Sequence, residues 1–376
     1  MESVVANFSL RLYNVLSEGN DNLILSPYSV TIALMLTMLG TKGESEAQIK
    51  QVLGLSGIPD PHKAYKDLHF TLTGKYKEGT ELAIANRIYS KLGLHIRESY
   101  KQKSIEVYNS ELELLDFVGN PEGSRSIINT WVEEQTNNKI KDLIPPGVIN
   151  NLTVAVLANA IYFKGDWENP FKSSETEREK FYISEIETEM IDMMHMGEKK
   201  WLISVSESLD CKVLNLPYKG EELSMLIFLP NKIDGLSEVE SNLSPEILYE
   251  ITQKLYYKGV IVTIPKFKLE SSFEIVNVLA GMGITDIFSK YKSDFSAMMD
   301  NPPEETYVSG AIHKAFVEVN EEGTEAAAVM ALTVSATCYV VPDPPVIFKA
   351  DHPFLFLIRE NSTGTVLFIG RFTKPT

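Results

Sequence analysis

The chain has 376 residues, 44% of them hydrophobic, with 35 basic and 51 acidic side chains and a formal charge of -16. That length can bury a large core, while the excess negative charge argues against a nucleic-acid backbone as ligand and favours cationic protein partners at low salt. Length alone suggests two or three domains, but the Pro/Gly stretches at 56–61 and 144–147 are too short to act as linkers.

In chain order, Val4, Val5, Phe8, Leu12, Val15 and Leu16 fit one face of an amphipathic helix. The N-terminus has neither a basic lead nor an apolar h-region, so it does not read as a signal peptide. Ser26 is placed as an N-cap with Pro27 at the first helical position. The apolar run that follows to Leu39 reads as a buried core helix ended by Gly40, too short to span a bilayer. Lys75, Lys77, Lys91, Arg97, Lys101 and Lys103 are scattered basics that read as a solvated face. Ile127, Ile128, Trp131, Val132 and Gln135 repeat with helical spacing. The near-continuous apolar run 154–163 predicts a central strand covered on both faces. The second half is strand-rich: KVLNLP, LSMLIFLP, GVIVTIPKF, PFLFLI and TVLFIG, with a turn at 361–364 between the last two. The pattern predicts an α+β fold with large mixed or antiparallel sheets.

Two cysteines give no disulfide framework. Cys211 falls in an apolar strand and is expected to be buried, and Cys338 is expected to be an exposed free thiol. Asn7, Asn151, Asn242 and Asn361 stand in Asn-x-Ser/Thr sequons, possible glycan acceptors that a chain of this length also carries by chance. The six histidines make no His-x-x-x-His pair or Cys/His cluster, so no metal site is indicated. GLSG at 54–57 lacks the spacing of a nucleophile elbow, and there is no Walker or dinucleotide-binding glycine motif. Neither a catalytic residue nor a cofactor is assigned.

The segment 321–345, EEGTEAAAVMALTVSATCYVVPDPP, has no glycine after Gly323 and no charge between Glu325 and Asp343. As a strand it would place Thr324, Ala326, Ala328, Met330, Leu332 and Val334 on one face, with nothing charged to bury. Glu325, Ala327, Val329, Ala331, Thr333 and Ser335 would take the other. It has the flanks of an exposed loop and the composition of a buried strand, which points to two possible states. Alanine is depleted in ordinary strands; small side chains suit a segment that must slide between neighbours.

EEGTEAAA at 321–328 resembles the hinge of the inhibitory serpins. NLILSPYSV (22–30), NAIYFKGDWENPF (159–171), LPYKGEELSMLIFLP (216–230), AIHKAFVEVNEEGTEA (311–326) and ADHPFLFLIRENSTGTVLFIGRFTKP (350–375) match the same family in order. The C-terminal motifs resemble its ovalbumin-like branch. The resemblance implies a single serpin domain over 1–376, with three β-sheets, eight or nine helices and a reactive loop at about 321–346.

It implies inhibition of a target serine protease through a covalent acyl-enzyme, after which the cut loop inserts into the central sheet. The alternative it leaves open is a non-inhibitory serpin acting as carrier or chaperone. Glu321, Glu322, Gly323, Thr324, Glu325, Ala326, Ala327 and Ala328 correspond to the hinge. Ser26, Ser29, Asn159 and His313 correspond to a polar cluster beneath the sheet. Trp167 matches the tryptophan where the loop first inserts, with Lys266 pairing Glu321 nearby. Family spacing puts the scissile bond among Thr337, Cys338, Tyr339 and Val340. No Lys or Arg lies between Lys314 and Lys349, so chymotrypsin- or elastase-like proteases are expected rather than trypsin-like ones. A monomer is expected; the acidic charge argues against nucleic acid, no segment is long and apolar enough to span a membrane, and the scattered basics read as a solvated face rather than a heparin site. Inhibitory function favours the extracellular space, while the missing leader signal keeps the cytoplasm open.

Overall fold

The computed structural model describes residues 2–73, 79–322 and 343–375. Its helices are α1 (Glu2–Leu16), α2 (Pro27–Leu39), α3 (Gly43–Val52), α4 (Pro61–Thr73), α5 (Glu98–Tyr108), α6 (Pro121–Gln135), α7 (Leu236–Asn242), α8 (Pro245–Gln253) and α9 (Val276–Gly281). The strands of the first half are β1 (Leu23–Leu25), β2 (Thr80–Lys91), β3 (Glu113–Leu115), β4 (Ala155–Gly165) and β5 (Glu177–Tyr182). Then follow β6 (Thr188–Ser206), β7 (Cys211–Pro217), β8 (Leu223–Pro230), β9 (Tyr256–Pro265) and β10 (Phe267–Glu274). The last are β11 (Gly310–Val319), β12 (Val346–Lys349), β13 (Phe354–Glu360) and β14 (Val366–Phe372).

Five strands form one sheet in the order β10-β11-β4-β2-β3. Nine form a second array, β1-β14-β13-β8-β7-β6-β9-β12, with β5 attached to β6. The smaller sheets expected beside the five-stranded one are joined because β6 runs through both, irregular between Met196 and Lys199.

The apolar run of β4 is explained by two cores. Leu157, Ile161 and Phe163 enter the main core, and the alternating Val156, Ala158, Ala160 and Tyr162 enter a second one beneath α6. A strand buried on both faces needs apolar residues at nearly every position. β4 pairs antiparallel with β2 on one side and parallel with β11 on the other. The parallel seam runs from Gly310↔Val156 to Glu318↔Lys164.

The capping of α2 follows its sequence: Ser26 Oγ accepts the Ser29 N–H at 3.1 Å, Pro27 opens the helix and Gly40 closes it. Helix α2 is buried along nearly its whole length, as its uniformly apolar sequence requires. Two helix faces differ from expectation. On α1, Val15 is exposed, while Leu10 and Tyr13 join Phe8 and Leu12 in the core. Helix α1 touches α2, α8, α9 and β14, so its contact arc is broader than one stripe. On α6, Ile127 is exposed and Ile128 and Val132 fill the core beneath. The strand containing Cys211 is β7, and the thiol is buried with its pKa pushed up to about 12 by burial and then by Asp210. Gly364 closes the β13–β14 turn with φ 71°, a left-handed conformation that suits glycine.

Candidate functional site

The five-stranded sheet brings the four residues of the expected polar cluster together at the middle of its parallel seam. Asn159 on β4 and His313 on β11 are direct register partners, and Asn86 on β2 faces Asn159 from the other side. The N-terminus of α2 packs beneath them, carrying Ser26 and Ser29.

The hydrogen bonds define one protonation pattern. His313 Nε2 accepts the Ser26 backbone N–H at 3.0 Å, so Nδ1 carries the proton and donates to Asn159 Oδ1. Asn159 Nδ2 reaches the Ser29 carbonyl at 2.9 Å, Ser29 Oγ at 2.6 Å and Asn86 Oδ1. Ser26 Oγ donates to the Leu367 carbonyl at 2.6 Å, tying the cluster to β14. All four residues are fully buried. Burial lowers the His313 pKa to about 3, and a second ring proton on Nε2 would confront the Ser26 N–H donor-to-donor. The imidazole is therefore neutral at physiological pH.

A second constellation sits where β11 ends. Trp167 donates its indole N–H to the Asn320 carbonyl at 2.9 Å and its backbone N–H to the Glu322 carbonyl at 3.3 Å. Its ring stacks on Tyr218, centroids 4.6 Å apart with planes 10° from parallel. Glu321 is paired with Lys266 Nζ at 2.7 Å and accepts from Thr176 Oγ1 at 2.9 Å. Burial alone would raise the Glu321 pKa, but the hydrogen bonds from Lys266, its own backbone and Thr176 outweigh it and hold it low. Glu322 pairs with Lys164, the residue that closes the seam on β4. Residues 320–322 are thus fastened at three consecutive positions to the end of the sheet.

The chain is described again from Asp343, which pairs with Lys258 on β9 at 2.8 Å. Strand β12 then lies parallel to β9 at the edge of the other sheet. Residues 323–342 therefore connect the end of the seam to a different sheet. The hinge residues Gly323 to Ala328, the bond candidates Thr337, Cys338, Tyr339 and Val340, and the basics Lys75 and Lys77 lie outside the described residues.

Three contributors escaped the sequence reading: Asn86, Lys164 and Thr176. An asparagine inside an apolar strand is unusual, and the pair Asn86 and Asn159 could have been flagged on that ground. Lys164 and Thr176 carried no such signal. Among the scattered basics, Arg97 pairs with Asp300 and Lys101 with Glu98. Of the four sequons, Asn7, Asn151 and Asn242 are exposed, whereas Asn361 uses its Nδ2 on the Glu221 carbonyl at 2.7 Å and its Oδ1 on Ser224. Among the described residues no His, Cys, Asp or Glu group is placed to hold a metal, and no helix is long and apolar enough to cross a membrane.

An α+β fold with a parallel seam at the centre of its five-stranded sheet, and a segment fastened to one end of it, defines the serpin class. The chain belongs to the serpin family: the family description "Serpin (serine protease inhibitor)" matches residues 3–375. It is 38% identical to human leukocyte elastase inhibitor, covering 100% of this chain and 99% of that protein. Mouse antithrombin-III is 37% identical over 98% of this chain and 80% of the relative. The solved structure of uncleaved ovalbumin superposes with a TM-score of 0.90 at 32% identity, covering 99% of each chain.

Proposed function

We propose that this chain inhibits serine proteases of the elastase- and chymotrypsin-like kinds as a suicide substrate, with residues 321–346 as the reactive loop of a single domain. The protease's serine attacks a carbonyl within the loop, the new N-terminus leaves, and an ester joins protease to inhibitor. Insertion of the loop's N-terminal part into the five-stranded sheet then strands the acyl-enzyme before water can cleave it.

The observation that carries this reading is the parallel seam between β4 and β11. A chain leaving β11, held at 320–322 and turning back, runs antiparallel to both seam strands. Its insertion would replace one parallel ladder by two antiparallel ones, the more stable pairing per residue. The uncharged stretch after Glu325 supports it, since nothing charged beyond Glu325, and nothing charged on the Thr324 face, would enter the sheet. The name leukocyte elastase inhibitor, carried by relatives in several species, supports an elastase-like target. The absence of Lys and Arg from the loop argues against trypsin-like proteases.

The test is incubation with an elastase, a chymotrypsin and a trypsin, followed by denaturing electrophoresis. A band of summed mass with either of the first two supports the proposal. Cleavage of the loop with no such band overturns it and favours the carrier reading.

A further inference from the structure

After Asp343 the chain runs alongside β9, and the outer side of this strand pair is apolar where it meets solvent. Along β9 the buried Val260, Val262 and Ile264 alternate with Tyr257, Gly259 and Ile261, which face outward. Tyr257 is 70% exposed and Ile261 37%. Ile347 on β12 is the direct register partner of Ile261 and is 64% exposed. Single exposed apolar residues are ordinary, but these share one face, with the two isoleucines side by side. Gly259 leaves a dip between Tyr257 and Ile261.

The charges around this face are balanced. Glu198 reaches over Gly259, where a Cβ would lie 2.5 Å from its Oε1, and Lys200, the register partner of Gly259, rises from the same side. Lys258 pairs with Asp343 at 2.8 Å and Lys349 with Glu179 at 2.7 Å. An apolar centre inside a polar rim is the anatomy of a protein interface. With no net charge at the rim, the fitting partner surface is itself apolar and uncharged.

The position of the face indicates what covers it. Asp343 lies three residues after Val340 and six after Thr337, the span proposed to hold the scissile bond. Fully extended, that stretch of chain reaches about 10 to 20 Å. A folded enzyme of about 200 residues has a radius of gyration of about 16 Å. An enzyme gripping residues 337–340 is therefore within reach of β9 and β12. We propose that Tyr257, Ile261 and Ile347 form a docking surface for the target protease, receiving an uncharged apolar patch beside its substrate cleft. Resting on the inhibitory reading of the loop, this docking surface is a second contact by which the protease is selected. A protease without such a patch reads the loop alone and associates more slowly.

The test is the association rate of an elastase and of a chymotrypsin with wild type, Tyr257→Ala, Ile347→Ala and the double variant. Against the enzyme that wild type traps faster, each single variant should associate at least about fivefold more slowly, and the double variant more slowly still. The loss should persist at about 1 M salt, where charge steering is screened. The share of protease trapped as complex and the melting temperature should not change, since both residues lie outside the five-stranded sheet. Unaltered rates, with complex formed, overturn the docking surface and leave the inhibitory reading standing. A changed complex share at an unchanged rate also overturns it, because the residues would then act on insertion. No complex between wild type and either enzyme overturns both. Sedimentation of wild type at about 50 μM as a dimer that Ile347→Ala disperses would assign the face to a second copy and overturn the proposal too.

Discussion

His313 and Asn159 face each other across the parallel seam, the imidazole donating to the amide oxygen while its other nitrogen accepts from the first residue capping α2. The one side chain thus ties β11 to both β4 and the helix beneath. Removing it as His313→Ala leaves the Ser26 N–H and Asn159 Oδ1 buried without partners, a loss of about 1–3 kcal/mol. The effect depends on pH with a definite sign. The folded pKa of about 3 lies below the ordinary 6.5, so the unfolded chain binds the extra proton first. The stabilisation is complete above 6.5 and declines as pH falls toward 3, by at most about 1.4 kcal/mol per unit. The gap in urea midpoint between wild type and His313→Gln should therefore narrow from pH 7 to pH 4. A constant gap would show that the imidazole is not held neutral.

The ion pair of Lys266 with Glu321 predicts a smaller effect of the same sign, placed at lower pH. Glu321 is 8% exposed, but the lysine side chain is 42% exposed, which screens the pair. Lys266→Met should cost about 1 kcal/mol at pH 7. The carboxylate's pKa is depressed below 4.5, so the contribution is present above that value and disappears as pH drops through the folded pKa. Urea titrations of wild type and variant at pH 7 and pH 3 check this, with the difference expected only at the higher pH.

Much of this arrangement was legible in the sequence, and for stated reasons. The capping of α2 follows from Ser26-Pro27, and the burial of β4 from an uninterrupted apolar run. The likeness to the serpin family placed the polar cluster residues before their contacts were seen. What sequence could not supply was convergence. Asn86 lies 73 positions from Asn159 and meets it only through strand order. The helix faces were drawn too narrowly because periodicity counts one stripe, whereas α1 is wrapped by four elements. Glu322 with Lys164 shows the same limit, since charge pairs distant in sequence carry no local pattern.

Gly165 closes β4 against the aromatic stack that supports Trp167. A Cβ there would lie 2.6 Å from Tyr218 Cδ1 and 2.9 Å from Phe163 Cζ. Neither ring can give way easily: both are fully buried, and Tyr218 is stacked on Trp167. Gly165→Ala should destabilise by about 1–3 kcal/mol through overpacking. It should also alter Trp167 fluorescence, since the indole must follow Tyr218. Thermal melting and emission spectra of the variant measure both, and a lowered melting temperature with an unchanged spectrum would place the strain elsewhere.

The loop-insertion proposal is tested most sharply by two neighbouring arginines. In a strand, Thr324 shares its face with Met330, Leu332 and Val334, while Glu325 falls on the opposite face and already carries a charge. Thr324→Arg would force a guanidinium into an apolar layer, at several kcal/mol without a partner. Insertion should then stall, the acyl-enzyme should hydrolyse, and the protein should be consumed as a substrate. Glu325→Arg exchanges one charge for another and should retain most of the complex. Both variants leave the scissile region intact, so cleavage itself should continue at a similar rate. Quantifying complex against cleaved product for the pair separates insertion from simple recognition. Equal partitioning in the two variants would mean that the period-two pattern is never read by the sheet.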